Sequence, residues 1–238
     1  MSEILKINDL RGGYQEGVDI LRGISMEVQQ GDAVGIIGLN GSGKSTFGKA
    51  IMNMIPIRRG QILFDGEDIT SLSTSQLSRR GISIMQQGGE VFQNLSVWDN
   101  LQLASGNSQL STLNSQLCGI VPLLQHPKRE LQNLMADKLS GGQKHQLSLA
   151  MTLATYPELV ILDEPSAGLS PIAVEEMYQM LRAIKEKLGI TIILIEQNIA
   201  KAVEFCDRSL MMGQGAIIKE FRNEEITEIE NRMFNNKN

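Results

Sequence analysis

Apolar residues fall along this chain in two patterns. Ala33–Ile37, 159–162 and Ile190–Ile195 are short continuous runs, the length of strands covered on both faces. Ile24–Val28 instead alternates and runs into the turn Gln30-Gly31-Asp32. Leu5–Leu10, Gln61–Phe64 and Ile82–Met85 read as further strands, with Asp65-Gly66 as turn chemistry. Helical spacing runs over Ser45–Met54 until Pro56, then over 141–155, 171–188 and 199–206. Ser73–Gln76 and Ser96–Asp99 are capping boxes, opening a brief helix that Gly81 ends and another that starts at Val97. Ser170-Pro171 is an N-cap followed by proline at the first helical position. Strands near 209–212 and 216–220 and a polar helix over Glu224–Phe234 complete the series.

Strands alternating with helices predict an α/β fold with a mainly parallel sheet. Between Val91 and Lys138 the strand pattern stops, and Ala104–Gly119 reads as a loop plus a weak helix. The expected organisation is one domain over 1–238. Its core spans 1–90 and 141–238, and a helical subdomain is inserted at 91–140. At 238 residues the chain is long enough for such a core.

Composition narrows the partners. The formal net charge is -5 and no block of basic residues occurs, which argues against nucleic acid. The two cysteines, Cys118 and Cys206, lack metal-ligand spacing and fit a reduced compartment. The N-terminus MSEILKINDL has no signal pattern, and no apolar run approaches the roughly 20 residues that span a bilayer. If the chain serves transport, the pore is expected on another polypeptide.

Three stretches carry the chemistry. GLNGSGKS, Gly38–Ser45, matches the phosphate-binding loop G-x-x-x-x-G-K-[ST]. Gly38, Gly41 and Gly43 let the backbone around Asn40 and Ser42 turn its N–H groups toward phosphate oxygens, and the following helix adds its dipole. Lys44 suits the β- and γ-phosphates, the Ser45 hydroxyl suits Mg²⁺, and Thr46 suits the α-phosphate. VILDEP delivers Asp163 and Glu164 at the C-terminal edge of a strand, where open α/β sheets place ligands. Asp163 fits Mg²⁺ through water, and Glu164 fits the orientation of an attacking water. LSGGQ, Leu139–Gln143, satisfies a Ser-x-x-Gln capping box, so helix initiation alone would explain Ser140 and Gln143. Gly141 and Gly142, however, cost helix stability of roughly 1 kcal/mol each against alanine, and close approach of an anion explains them better.

These motifs, in this order, resemble the ATP-binding cassette (ABC) ATPases, and the resemblance spans about Ile4–Phe221. It implies an N-terminal antiparallel β part, ATP hydrolysis with Mg²⁺, and head-to-tail pairing of two cassettes. Ser140, Gly141, Gly142 and Gln143 would then serve the nucleotide held by the partner's phosphate loop. It also implies that Tyr14 stacks on adenine, that Gln87 (rather than Gln86) senses Mg²⁺ and water, that Gln197 occupies the switch-histidine position, and that Ser166–Leu169 crosses the dimer seam. Transmembrane permease subunits and a peripheral place on the cytoplasmic membrane face follow.

RGISIMQQGGEVFQNLSVWDNL, DEPSAGLSPIAVEEM and ILIEQNIAKAVEFCDRSLMM look like the branched-chain amino-acid importer subunit that carries Glu-Gln-Asn at the switch. Urea and amide importers and the lipopolysaccharide-export ATPase are similar, and an exporter or a regulatory cassette with weak turnover stays open. Gln146 stands where the family carries arginine, and Ala150-Met151-Thr152 replaces Ala-Arg-Ala. Neither the long coiled-coil insertion of chromosome-maintenance ATPases nor the paired cassettes of ribosome-acting relatives are seen. His126 and His145 are expected at the surface, Trp98 in packing, and Phe92 in a docking surface together with Val91, Val97 and Trp98.

Overall fold

A computed structural model describes residues 2–15, 17–106 and 117–222 of the 238. The helix expected over Glu224–Phe234 and residues 107–116 of the expected loop lie outside the described residues. The chain divides into two compact units: residues 1–74 with 191–238, and residues 75–190.

In the first unit, β1 (Glu3–Gly12), β2 (Leu21–Gln29), β4 (Ile57–Phe64) and β5 (Glu67–Asp68) form an antiparallel sheet in the order β2-β1-β4-β5. β2 shows why it has one wet face. Leu21, Ile24, Met26 and Val28 are buried, while Arg22, Ser25 and Glu27 are exposed. β1 runs two residues past the expected Leu10. Its register shifts between Ile7 and Leu10, where Asp9 has φ 42°, and this bulge breaks the alternation a sequence reader follows.

The same unit holds β3 (Ala33–Ile37), β8 (Thr191–Glu196), β9 (Arg208–Gly213) and β10 (Ala216–Arg222), in the order β10-β9-β3-β8. β3 runs parallel to β8 and β9, and β10 is antiparallel to β9. Every residue of β3 and β8 is buried, as continuous apolar runs require. α1 (Lys44–Ile51) packs on β8, and α7 (Ile199–Phe205) packs on β3, β8 and β9.

The second unit carries α2 (Thr74–Arg79), the parallel pair β6 (Ile82–Met85) and β7 (Leu159–Asp163), and α6 (Pro171–Leu188). Between them lie α3 (Val97–Ala104), α4 (Lys128–Asn133) and α5 (Gly141–Leu153). α3 packs against both α4 and α5. Ser96 caps α3 by accepting from the Asp99 N–H at 3.1 Å, and Ser170 caps α6 ahead of Pro171. Trp98 is buried and lies under the Lys128 ammonium, 4.2 Å from its ring centre, a cation–π contact.

Candidate active site

In the first unit the chain leaves the buried strand β3 into Gly38 and enters α1 at Lys44. Gly43, at the N-cap, has φ 102°, a conformation open to glycine and strained for other residues. The Lys44 ammonium donates to the carbonyls of Gly38 at 2.9 Å and Leu39 at 3.1 Å, bracing the loop across its mouth. Lys44 and Thr46 are buried, Ser45 is half-buried, and Asn40 and Gly41 are exposed. The Ser42 hydroxyl is buried and has no hydrogen-bond partner among the described residues, a polar orphan in a loop already shaped for an anion.

Tyr14 follows the end of β1 and is 53% exposed, so its ring face is open to stacking. At the other edge of this unit β8 ends in Glu196, which is buried beside Ile37 of β3. Its carboxylate accepts from the N–H groups of Gln197 at 3.1 Å and Asn198 at 3.4 Å, which fixes the turn that presents exposed Gln197. In the sequence Glu196 shows only as the first residue of Glu-Gln-Asn, because a strand-end glutamate carries no signal of the turn it caps.

The second unit brings together Gln87 and Glu164. The Gln87 amide donates to the Glu164 carboxylate at 2.7 Å. Asp163 ends β7, Glu164 follows it, and both are buried. Glu164 has φ 50°, a strained conformation for a non-glycine residue. The carboxylate is thus aimed by its backbone and held by an amide 77 positions away.

Ser140 heads α5 with the capping box expected of it. The Gln143 N–H donates to the Ser140 hydroxyl at 3.3 Å, and the Ser140 N–H donates to the Gln143 side chain at 2.9 Å. Gly141 is exposed, and a Cβ built on it would meet nothing within 4 Å. Internal packing therefore gives no reason for glycine there.

Two surface expectations divide. His126 is exposed and pairs with Glu130 at 3.2 Å, but His145 is buried. α5 is covered without a break from His145 to Ala150, so its polar residues go inside as well. Gln146, where the family carries arginine, accepts from the Leu123 N–H at 3.0 Å. Phe92 is 52% exposed, whereas Val97 and Trp98 are buried in α3 and leave the expected apolar surface. Asn100 was unforeseen. Fully buried, it accepts from the Phe92 N–H at 2.8 Å and donates to the carbonyls of Phe92 and Ser96 at 3.0 and 2.9 Å. Burial pushes the Cys118 thiol up, away from its reactive thiolate form.

A glycine-rich strand-to-helix loop with its lysine, and an apolar strand ending in paired acids, define a nucleoside-triphosphate-hydrolysing α/β protein. The sequence profile of the ABC transporter family matches residues 21–167, more than half of the chain, and the chain belongs to that family. It is 30% identical to the high-affinity branched-chain amino acid transport ATP-binding protein BraG of Pseudomonas aeruginosa, over 86% of this chain and 87% of BraG. It is 29% identical to the lipopolysaccharide export system ATP-binding protein LptB of Escherichia coli K12, over 90% of this chain and 88% of LptB. The solved structure of cbiO1 from Clostridium perfringens superposes with a TM-score of 0.83 at 29% identity, covering 100% of this chain and 96% of cbiO1. The chain is an ATPase subunit that binds ATP, works with transmembrane permease subunits and energises a transporter. No helix among the described residues is long and apolar enough to cross a membrane.

Proposed function

We propose that this subunit drives uptake of branched-chain amino acids, or of a related small polar solute, from the cytoplasmic face of the membrane. BraG and the probable branched-chain amino acid transport protein LivF of Archaeoglobus fulgidus, each 30% identical, support the solute class. So does Glu196-Gln197-Asn198, whose turn the Glu196 carboxylate fixes. The similarity to LptB supports a second reading, export of a lipid or polysaccharide. Reconstitution with the permease subunits separates them: leucine uptake supports the first, and extraction of lipopolysaccharide supports the second.

The observation that carries the hydrolytic roles is the Gln87–Glu164 bond at the end of β7. Tyr14 stacks on adenine. The N–H groups of Gly38–Thr46 cradle the phosphates, and Lys44 neutralises their growing charge. Mg²⁺ takes few protein ligands, because phosphate oxygens and water supply the rest. Ser45, Gln87 and Asp163 fit that need, and the ion would polarise the γ-phosphate. Gln87 leaves Glu164 as a water enters, and Glu164 orients that water. Ser140, Gly141, Gly142 and Gln143 reach the γ-phosphate on a paired cassette.

At the switch position, a glutamine donates only a neutral N–H, where a charged imidazole would bond about twice as strongly. A loss of ~1 kcal/mol in the transition state is about five-fold in rate. The site built on this chain's phosphate loop is therefore expected to turn over several-fold more slowly than that of a histidine-bearing partner cassette. Single-turnover hydrolysis, after inactivating each cassette in turn, measures the difference. Equal rates would refute the asymmetry.

Phe92, clamped by Asn100 and exposed beside the Gln87 loop, is expected to meet the permease. Phe92→Asp should leave ATP affinity unchanged and uncouple hydrolysis from transport, read as solute moved per ATP in proteoliposomes. Full transport by a folded variant would assign the ring to the cassette's own surface.

A further inference from the structure

The buried histidine of α5 touches both the turn after Ser140 and the loop that follows Gln87. Its Nδ1 lies 3.0 Å from the carbonyl of Gly141, in the first turn after Ser140. A carbonyl only accepts, so Nδ1 carries the proton. Nε2 is buried and has no partner among the described residues. The ring also supports the loop that follows Gln87. Gly89 has φ 62°, and a Cβ built on it would lie 3.1 Å from both Cγ and Nδ1 of His145 and 3.2 Å from its Cα.

We infer that His145 is the positioning residue that ties the Gln87 loop to the Ser140 turn, so that one cannot shift without the other. The inference rests on the hydrolytic roles proposed above. The loop has two mechanically different ends. Residues 92–96 are clamped to α3 by Asn100, whereas Gly88 and Gly89, with φ of 93° and 62°, form the end able to turn. His145 sits under that turning end. When Gln87 leaves Glu164, Gly89 presses on the imidazole, and the Nδ1 bond passes the displacement to the Gly141 carbonyl. Space filling alone does not account for histidine here. Leucine or phenylalanine would fill the volume without a buried unpaired ring nitrogen, which is a standing cost to the fold.

Substitutions that mimic one ring nitrogen at a time separate linkage from packing. Asparagine places its amide nitrogen near the position of Nδ1, and glutamine places its own near Nε2. Steady-state ATP hydrolysis by the full chain, with its partner cassette where one is required, is compared for His145→Asn, His145→Gln and His145→Phe. His145→Asn should keep kcat within about two-fold. Loss of one hydrogen bond's worth of coupling in the other two should lower kcat by about three- to ten-fold with KM for ATP unchanged. His145→Phe should melt no lower than the parent protein. Normal turnover in His145→Phe, with His145→Asn the poorest of the three, would overturn the inference, because packing alone would then explain the ring.

A second pair of variants probes the contact itself. Gly89→Ala, strained at φ 62° in either background, should slow turnover more when His145 is present than once His145→Ala has removed the ring, a non-additive cycle. Additive losses would overturn the linkage as well. Parent protein whose turnover is indifferent to Glu164→Gln would instead refute the hydrolytic assignment, an outcome distinct from both.

Discussion

Glu164→Gln is expected to leave ATP bound and to lower turnover by about 10²- to 10⁴-fold, the range for losing a positioned proton acceptor. The fold has little to lose from this change. Gln87 now donates to the Glu164 carboxylate at 2.7 Å, and a glutamine at that position presents an amide oxygen to the same donor. What disappears is the negative charge that orients and polarises the attacking water. Backbone strain at φ 50° is common to both residues, so the carbonyl end of the side chain should stay where it is. Two measurements check this. ATP affinity should remain within about two-fold of the parent, since the phosphate cradle is untouched. Nucleotide-induced dimerisation should persist for many turnovers' worth of time, because the step that dissolves it is blocked. Parent-like turnover would remove Glu164 from its role and shift the search to Asp163.

Much of the frame was legible because burial leaves a period behind it. β3, β7 and β8 are built on apolar runs, and each is buried along its length. Ser96, Ser140 and Ser170 announced the starts of α3, α5 and α6, since an N-cap needs a short polar side chain at one place. α4 gave no such signal. Its N-cap is Pro127 with no side-chain bond, and Leu131 is its one buried residue, so KRELQN shows no stripe to read. β5 is a two-residue strand of Glu67 and Asp68, too short and too polar for any pattern. At the site, the phosphate loop and the paired acids were readable because their chemistry is local. Partnerships across long separations were not. Nothing in spacing tells that Gln87 reaches Glu164, that Asn100 holds Phe92, or that His145 lies buried against Gly89. Each depends on how helices and loops of the second unit pack, which a one-dimensional pattern does not carry.

Lys44→Ala is expected to weaken ATP binding by about 10- to 100-fold, because a charged hydrogen-bonding group contributes roughly 1.5–3 kcal/mol and each 1.4 kcal/mol is tenfold. The structure gives the side chain two tasks. It braces the loop through the Gly38 and Leu39 carbonyls, and it brings a cation into a cradle otherwise made of backbone N–H groups. The two tasks predict different nucleotide dependence. Loss of bracing loosens the whole loop and weakens AMP, ADP and ATP alike. Loss of the cation acts where charge is greatest, at the β- and γ-phosphates, and leaves AMP nearly unaffected. A graded loss, largest for ATP and smallest for AMP, is the expected result. Lys44→Gln sharpens the contrast, since its amide can still donate to one loop carbonyl while supplying no charge. Equal weakening for the three nucleotides in Lys44→Ala, relieved in Lys44→Gln, would make Lys44 chiefly a brace. Titration of each nucleotide by calorimetry distinguishes the two, and unchanged ATP affinity in both variants would remove Lys44 from the site.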